Sequence, residues 1–411
     1  MSLIELNDLV YGESTDASVN IQRHLRNFYP RKTNFKPVEK IQIMIQGDQF
    51  VDMKNSSLRF NFIPTGGNVV WGTGSALNIF NRCRIMSSSG EEISDSRKNN
   101  LYQKQSNKLY QSAEYNFVVS SSWGVDDGNP NVRNAVAGQD NLYVIPMRHI
   151  SPFFDNDQLL PPAISKDLII ELYLEDIRKI GIATGVSTYD VLDPVLIVDS
   201  VLATPDITQA IDSLTGSGMI YEYTDVVHAE TNAQTDNIDF VLPHSLSNAL
   251  EGFVVSRDND DANDINVDNF ASLPIEADET TAEYKENKVV FRVGDIQLPQ
   301  QTAVGGRQIY NLLLNARGQL HNSYAKDFAM RHTDYLQGGD PNAGLYACYF
   351  VNLRRSKLFN NSGREISNQR NLICQFRREK NGVPLVVSVN DFFVKYVGRI
   401  HIKKGIIDVE R

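Results

Sequence analysis

Apolar residues occupy every second position in two runs near the start of the chain, one on each side of a Gly47-Asp48 turn signal. The apolar positions are Ile41, Ile43 and Ile45 in the first run, and Leu58, Phe60 and Phe62 in the second. Successive side chains of a strand point to opposite faces of a sheet, so each run predicts a β-strand with one buried and one polar face.

Similar runs recur along most of the chain. In the first half they lie at 38–46, 56–63, 79–87, 142–150, 168–175 and 195–202. In the second half they lie at 219–229, 237–243, 251–258 and 289–298, followed by LYACYFVNL, LICQFRR and KYVGRIHIKKGIIDV. Two successive sets of short strands separated by polar turns predict an all-β chain of two tandem eight-stranded antiparallel jelly-roll sandwiches with a few short helices.

Helix and loop signals divide this pattern. Residues 100–111 contain neither Gly nor Pro and predict a helix, and residues 310–319 predict another short one. Residues 205–214 predict a helix that begins after Pro205 and ends before Gly216. The polar stretches 116–140 and 258–285 predict loops, the second of them long, acidic and exposed.

The predicted organisation has four parts. Residues 1–36 form an N-terminal arm, 37–205 the first jelly roll, 206–216 a linker helix and 217–411 the second jelly roll. A length of 411 residues favours two domains, and a content of 41% hydrophobic and 22% charged residues is enough for sizeable cores.

Charge and cysteine content narrow the class of protein. A net charge of -10 argues against a surface that coats nucleic acid broadly. Cys83, Cys348 and Cys374 lie in apolar surroundings and have no zinc-type spacing, so we expect buried thiols in a reducing compartment. The N-terminal residues lack the features of a signal peptide, and no apolar stretch is long enough to span a bilayer.

Two basic segments allow a structural or a binding interpretation. The first lies in the arm, between aromatic residues, and contains Arg23, Arg26, Arg31, Lys32 and Lys36. It is either a packed arm or one that contacts a neighbouring subunit or, with less weight, an internal nucleic acid. In the second, Arg399, His401 and Lys403 share one face of a strand, which is either solvated or faces an acidic partner.

Catalytic motifs are missing from the sequence. It contains no phosphate-binding loop, no dinucleotide fingerprint and no H-E-x-x-H, and its seven histidines lie far apart. The acidic run from Asp258 fails as an EF-hand, because Ala262, Asn263 and Asn269 stand where an oxygen ligand, Gly and Glu are required. The sequence therefore predicts no catalytic, cofactor-binding or metal-binding residue, no cofactor and no enzyme.

The order of the segments resembles the double jelly-roll major capsid proteins of eukaryotic double-stranded DNA viruses, of the Polinton-like and virophage-like group. The resemblance covers residue 36 to the end. It rests on the opening runs at 41–62, the segment LYVIPMRHISPFFDNDQLLPPAISKDLIIELYLE, the strand VLIVDSVLATPD and the restart MIYEYTDVV after a short helix. Shorter loops and missing tower insertions separate this chain from the giant-virus members.

The resemblance implies a structural protein of the virion capsid, assembled inside the host cell and not secreted through a signal peptide. It implies a homotrimer that forms a pseudo-hexameric capsomer and tiles an icosahedral shell. Expected partners are neighbouring capsomers, penton and minor capsid or cement proteins, and an internal membrane or the genome through the arm, with no small-molecule substrate.

Two other functions remain open at this stage. One is a carbohydrate-binding or cell-attachment tandem β-sandwich, for which Trp71 and Trp123 in Gly-rich loops would be exposed stacking platforms. The alternative for both tryptophans is that they anchor those loops. The other, ranked last, is a tandem cupin-like enzyme, which would need a His/Glu metal cluster that the sequence lacks.

Overall fold

The chain forms two β-sandwiches, one from each half of the sequence. The computed structural model describes residues 22–125, 134–203, 209, 213, 216, 218–235, 237–273, 275–276, 287–317, 330–337, 345–355, 363–367, 369–377, 387–403 and 406–411. Most of the predicted linker helix at 206–216 lies outside the described residues, although residues 209, 213 and 216 are helical. The predicted boundary between the two rolls at 206–216 stays a prediction.

The first sandwich contains two sheets with four main strands each. One has the order β1-β11-β4-β9, with β2 beside β11, and the other has the order β3-β10-β6-β7. The bounds are β1 Gln22–Phe28, β2 Asn34–Phe35, β3 Lys40–Ile45, β4 Phe50–Thr65, β5 Val69–Val70, β6 Phe80–Met86, β7 Glu92–Arg97, β8 Asn134–Ala135, β9 Asn141–Pro146, β10 Leu168–Leu174 and β11 Thr188–Leu202. Strands β5 and β8 form a separate pair.

The second sandwich repeats this arrangement. Its sheets have the orders β12-β22-β14-β19 and β13-β21-β16-β17, with β20 beside β14 and β23 beside β22. The bounds are β12 Met219–Ala233, β13 Asn237–Val241, β14 Leu246–Asp258, β15 Ile275–Glu276, β16 Lys288–Val293, β17 Ile296–Val304, β18 Leu336–Gln337, β19 Tyr349–Asn352, β20 Arg364–Ile366, β21 Leu372–Arg377, β22 Ser388–Lys403 and β23 Ile406–Glu410. The predicted all-β fold of two tandem sandwiches is confirmed.

Short helices connect the strands. The α-helices are α1 Asn99–Leu109, α2 Ala113–Val118, α3 Pro162–Ser165, α4 Gly306–Ala316 and α5 His332–Tyr335. Single 3₁₀ turns lie at Ala76–Ile79, Ser120–Trp123, Met147–His149, Pro152–Phe154, Ile177–Lys179 and Asp261–Asn263. Helices α1 and α4 confirm the predicted helices at 100–111 and 310–319, whereas α2 and the turn that follows it correct the loop predicted at 116–140.

The two opening runs form strands in different sheets. Strand β3 pairs with β10, and strand β4 lies between β11 and β9. The alternating apolar side chains of both strands are buried in the first core, as the period-two pattern predicts. The two runs therefore contribute to opposite walls of one sandwich rather than to a hairpin.

Part of the predicted arm belongs to the first sandwich. Strand β1 pairs with β11 along its whole length, from Gln22 opposite Leu202 to Phe28 opposite Leu196. Phe28 and Phe35 are buried in the first core. The arm predicted at 1–36 is corrected to that extent, and residues 1–21 lie outside the described residues.

Candidate functional site

Helix α1 follows strand β7 of the first sandwich in sequence but also packs against the second sandwich. Leu101, Tyr102 and Leu109 belong to the second hydrophobic core. The ring of Tyr102 stacks on Phe253, with centroids 5.9 Å apart and an interplanar angle of 18°. Strand β12 makes the reciprocal contact, because Tyr223 lies in the first core and its hydroxyl donates to the carbonyl of Ile93 at 3.0 Å. The two sandwiches therefore share apolar contacts in both directions.

A buried lysine on α1 holds two segments of the second half of the chain. Lys104 Nζ donates to the carbonyl oxygens of Phe270 at 2.6 Å and Leu345 at 2.7 Å, and to Ser272 Oγ at 3.0 Å. No carboxylate is among these acceptors. Burial lowers the pKa of Lys104 to about 7, because desolvation disfavours the charged ammonium.

The acidic segment from residue 258 docks on the first sandwich. Asp268 Oδ2 accepts a hydrogen bond from the backbone N–H of Thr73 at 2.6 Å, and Asn269 Oδ1 accepts one from that of Gly181 at 3.2 Å. Asn269 is buried. The prediction of an exposed loop over 258–285 is therefore wrong for Asn269, whereas Asp260, Asp261 and Asp264 are exposed as predicted. Residues 274 and 277–286 lie outside the described residues.

These contacts of α1 and of the acidic segment form the junction between the two sandwiches. A network of ion pairs lies next to it. Asp391 on β22 is fully buried, and its Oδ2 accepts from Arg257 Nη2 at 2.8 Å and Nε at 3.2 Å. Its Oδ1 lies 2.9 Å from His228 Nε2. Burial opposes ionisation of the carboxyl, but the Arg257 charge and the His228 hydrogen bond hold the pKa of Asp391 well below its usual range.

His228 and Asp391 also belong to a group that could hold a cation. Among the described residues, His228, Glu230 and Asp391 are the one set of three or more His, Cys, Asp or Glu residues whose potential ligand atoms all lie within 4.8 Å of one another. The sequence predicts no metal site. The His-x-Glu spacing, which places two side chains on one strand face, is the signal that points to this group.

Both tryptophans are buried. Trp71 Nε1 donates to the Tyr143 hydroxyl at 3.2 Å, and Trp123 packs against the His149 ring with centroids 5.2 Å apart. A Cβ on Gly124, which has φ +85°, would lie 2.6 Å from Trp71 Cδ1, so the backbone approach to Trp71 requires glycine. The tryptophans anchor their loops, and the interpretation as exposed stacking platforms is wrong.

The three cysteines are buried free thiols, as predicted. Burial raises the pKa of Cys348 to about 12, and that of Cys83 and Cys374 above the usual thiol range. Each thiol therefore stays protonated and unreactive near neutral pH.

The basic segments are largely engaged within the chain. Arg399 Nε pairs with Glu222 at 3.0 Å, and His401 Nε2 lies 3.2 Å from Glu410. In the arm, Arg23 Nη1 lies 3.1 Å from Asp52 and 3.0 Å from Asp199, Lys32 pairs with Glu39, and Lys36 with Asp190. Carboxylates of the same chain therefore face Arg23, Lys32, Lys36, Arg399 and His401.

The edge strand β9 is apolar on both faces. Tyr143 and Ile145 point into the first core, whereas Leu142 and Val144 on the outer face are 58% and 43% exposed. Strand β4 pairs with one side of β9, which ends its sheet. An edge strand with apolar residues on its outer face is a typical contact surface for another chain.

No protein-family model matches the sequence, and no curated protein matches it. Solved structures do match. The PBCV-1 protein VP54, fitted into a reconstruction of the virophage Sputnik, superposes with a TM-score of 0.64 at 10% identity over 96% of this chain and 98% of its own. The Faustovirus major capsid protein gives 0.63 at 8% identity, over 94% and 91%. The mavirus major capsid protein gives 0.50 at 10% identity, over 98% and 94%.

The chain has the double jelly-roll fold of viral major capsid proteins. The match extends over nearly the whole of both chains, so it includes both sandwiches and their relative placement. The predicted resemblance is confirmed at the level of the fold. No helix among the described residues is long and apolar enough to cross a membrane.

Proposed function

We propose that this chain is a viral major capsid protein that forms homotrimeric, pseudo-hexameric capsomers. The observation that carries the proposal is the full-length likeness to capsid proteins from three different viruses. The contacts of α1 and of the acidic segment support it, since they fasten the two sandwiches into one block. A shell subunit that supplies two of six pseudo-equivalent positions needs such a fixed geometry.

The proposal includes a structural role without catalysis and a location in the virion. Neighbouring capsomers are the first partners. Penton, minor capsid or cement proteins and a contact of the arm with a membrane or the genome remain further proposals. The carbohydrate-binding alternative lacks support, because its two candidate stacking residues are buried.

Solution mass and particle shape test the assembly directly. We expect the purified full-length chain to elute with three times the 46.2 kDa chain mass in size-exclusion chromatography with light scattering. Negative-stain images should contain particles with a hexagonal outline, formed by the six sandwiches of three subunits. At high protein concentration they should also contain larger arrays of these particles. A chain that stays monomeric at tens of micromolar and binds glycans would contradict the proposal.

Aspartates on the outer face of β9 should weaken assembly. In the double variant Leu142→Asp and Val144→Asp, each carboxylate would have to be desolvated in a subunit contact, so we expect at least a tenfold loss of trimer or array formation. The matched control is Ile220→Asp, which is 46% exposed and lies opposite the polar His401. Unchanged circular dichroism must accompany the loss. Assembly equal to that of the control would exclude β9 as a contact surface.

A further inference from the structure

The register of β12 and β22 brings three potential metal ligands together. His228 and Glu230 are two residues apart on β12, so their side chains share one face of the sheet. Asp391 on β22 lies directly opposite Glu230 in the antiparallel ladder. Potential ligand atoms of all three lie within 4.8 Å of one another, and His228 Nε2 and Asp391 Oδ1 are 2.9 Å apart.

Neighbouring side chains orient two of these ligands. Both hydrogen bonds from the Arg257 Nε and Nη2 groups go to Asp391 Oδ2, which turns Oδ1 toward His228. The His228 ring packs on Phe393 with centroids 4.9 Å apart. A ligating carboxylate held through its second oxygen, and an imidazole fixed by packing, are the supporting contacts that metal sites need.

A polar cleft gives access to the group. The cleft has a volume of about 590 Å³, and β7 of the first sandwich and β12 and β13 of the second contribute to its lining. Four carboxylates line it, those of Glu92, Asp95, Glu230 and Asp239, together with the guanidinium groups of Arg97 and Arg411. Glu230 is exposed and lies in this lining, whereas Asp391 is buried behind it.

We propose that His228, Glu230 and Asp391 bind a divalent transition-metal ion, with Zn²⁺ as the probe. One imidazole nitrogen and two carboxylate oxygens suit Zn²⁺ better than Mg²⁺ or Ca²⁺, which prefer oxygen ligands alone. Ligand atoms of a tetrahedral zinc ion are about 3.4 Å apart, given bonds of about 2.1 Å. Rotation of the exposed Glu230 side chain brings its carboxylate to that distance, and water from the cleft supplies the fourth ligand.

Binding of the ion replaces two existing interactions, the hydrogen bond between His228 and Asp391 and the ion pair between Lys98 and Glu230. His228 must offer Nε2 to the ion, so its hydrogen bond to Asp391 Oδ1 gives way to two metal bonds. Lys98, whose Nζ lies 3.4 Å from Glu230, competes with the ion for that carboxylate. The bound ion would tie β12 to β22 beside the junction between the two sandwiches.

Calorimetric titration of the full-length chain tests the proposal after treatment with a chelator and dialysis. We expect one Zn²⁺ per chain, with Mg²⁺ and Ca²⁺ binding at least 100-fold more weakly. Zn²⁺ should also raise the melting temperature in proportion to the logarithm of its concentration above the dissociation constant. Absence of a one-to-one zinc isotherm would overturn the proposal.

Three variants and a control separate a metal site from a structural ion-pair network. His228→Ala should abolish the isotherm, and Glu230→Gln, at an exposed position where folding is not at risk, should weaken it at least tenfold. Lys98→Gln should tighten it several-fold by removing the competing ammonium. His401→Ala, at the exposed pair with Glu410, should leave it unchanged. Zinc affinity that is insensitive to both Glu230→Gln and Lys98→Gln would refute the assignment.

Discussion

Replacing Asp391 with alanine is expected to lower the free energy of unfolding by about 3–5 kcal/mol at pH 7. The carboxylate is fully buried and accepts hydrogen bonds from Arg257 and His228. Its loss leaves the guanidinium of Arg257, which is 8% exposed, without its countercharge inside the protein. Removal of one partner from a buried pair costs more than the pair contributes, because the remaining charge stays desolvated. Urea unfolding followed by tryptophan fluorescence measures the change.

The matched control is Glu410→Ala, which removes the carboxylate partner of His401 at an exposed site. Water solvates the remaining histidine there, so we expect a change of about 0.5 kcal/mol or less. A loss below about 1 kcal/mol in Asp391→Ala would contradict the assignment of Asp391 as the buried countercharge.

The pH dependence of stability gives an independent check on Asp391. Its folded-state pKa lies below the unfolded value near 3.9, so the unfolded chain binds the proton first as the solution is acidified. The contribution of Asp391 is complete above the unfolded pKa and is lost as pH falls through the folded one. The difference in stability between the wild type and Asp391→Ala should therefore shrink below about pH 4.

Sequence reasoning succeeds where burial follows from local periodicity. In β3, the predicted apolar residues Ile41, Ile43 and Ile45 are buried and their neighbours are exposed. The same rule locates β10, where Leu168 to Leu174 match the predicted strand. In a strand between a core and solvent, alternate side chains face the core and the water, so apolar and polar residues alternate. A single sequence is therefore sufficient to find such a strand.

The rule fails for contacts between distant segments. Lys104 donates to residues 166, 168 and 241 positions away, and nothing near Lys104 in the sequence distinguishes it from an exposed helix residue. Asp268 similarly meets Thr73, 195 positions away. A charged residue in a polar stretch predicts exposure, and only the arrangement of the two sandwiches buries Lys104 and brings Asp268 against Thr73.

Helix α2, whose second half the composition predicts to be a loop, has a recognisable start signal in the nearby sequence. The helix extends into the start of the loop predicted at 116–140, and Ser112 caps it by accepting a hydrogen bond from the backbone N–H of Tyr115. A serine followed by a carboxylate in the first turn, here Glu114, is typical of a helix start. The polar composition of residues 116–140 nevertheless indicates a loop. The group of His228, Glu230 and Asp391 has only the His-x-Glu spacing as a local signal, because Asp391 joins it through the register of β12 against β22, which a single sequence does not specify.

Lys104→Met should remove a pH-dependent component of stability. The pKa of Lys104 is about 7 in the folded chain and about 10.4 in an unfolded one. Between these values the unfolded chain binds a proton that the folded chain does not, so this component of the stability rises with pH. From pH 7 to pH 8.5, the wild type should gain about 2 kcal/mol relative to Lys104→Met.

The charged groups around Lys104 support the assignment of the stability change between pH 7 and pH 8.5 to this lysine. Asp268 raises its pKa, whereas Arg257 and Lys108 lower it. Carboxylates and guanidinium groups keep their charge between pH 7 and pH 8.5. Methionine keeps most of the side-chain volume but leaves the carbonyl oxygens of Phe270 and Leu345 without their donor. That loss lowers stability by about 1–3 kcal/mol per unsatisfied group at every pH, so it shifts the curve without changing its slope.

Urea unfolding at half-unit steps from pH 6.5 to pH 8.5 measures the slope of stability against pH. Lys166→Met is the control, because Lys166 is exposed and its Nζ lies 3.5 Å from Asp48, which is exposed as well. Ionisation of unfolded cysteine thiols affects all three proteins equally and cancels in the differences. Parallel curves for the wild type and Lys104→Met would mean that Lys104 stays protonated in the folded chain through pH 8.5. The Lys104 ammonium would then be a permanent charge between the two sandwiches, held by three neutral acceptors and by the Tyr346 ring, whose centroid lies 4.7 Å from Nζ.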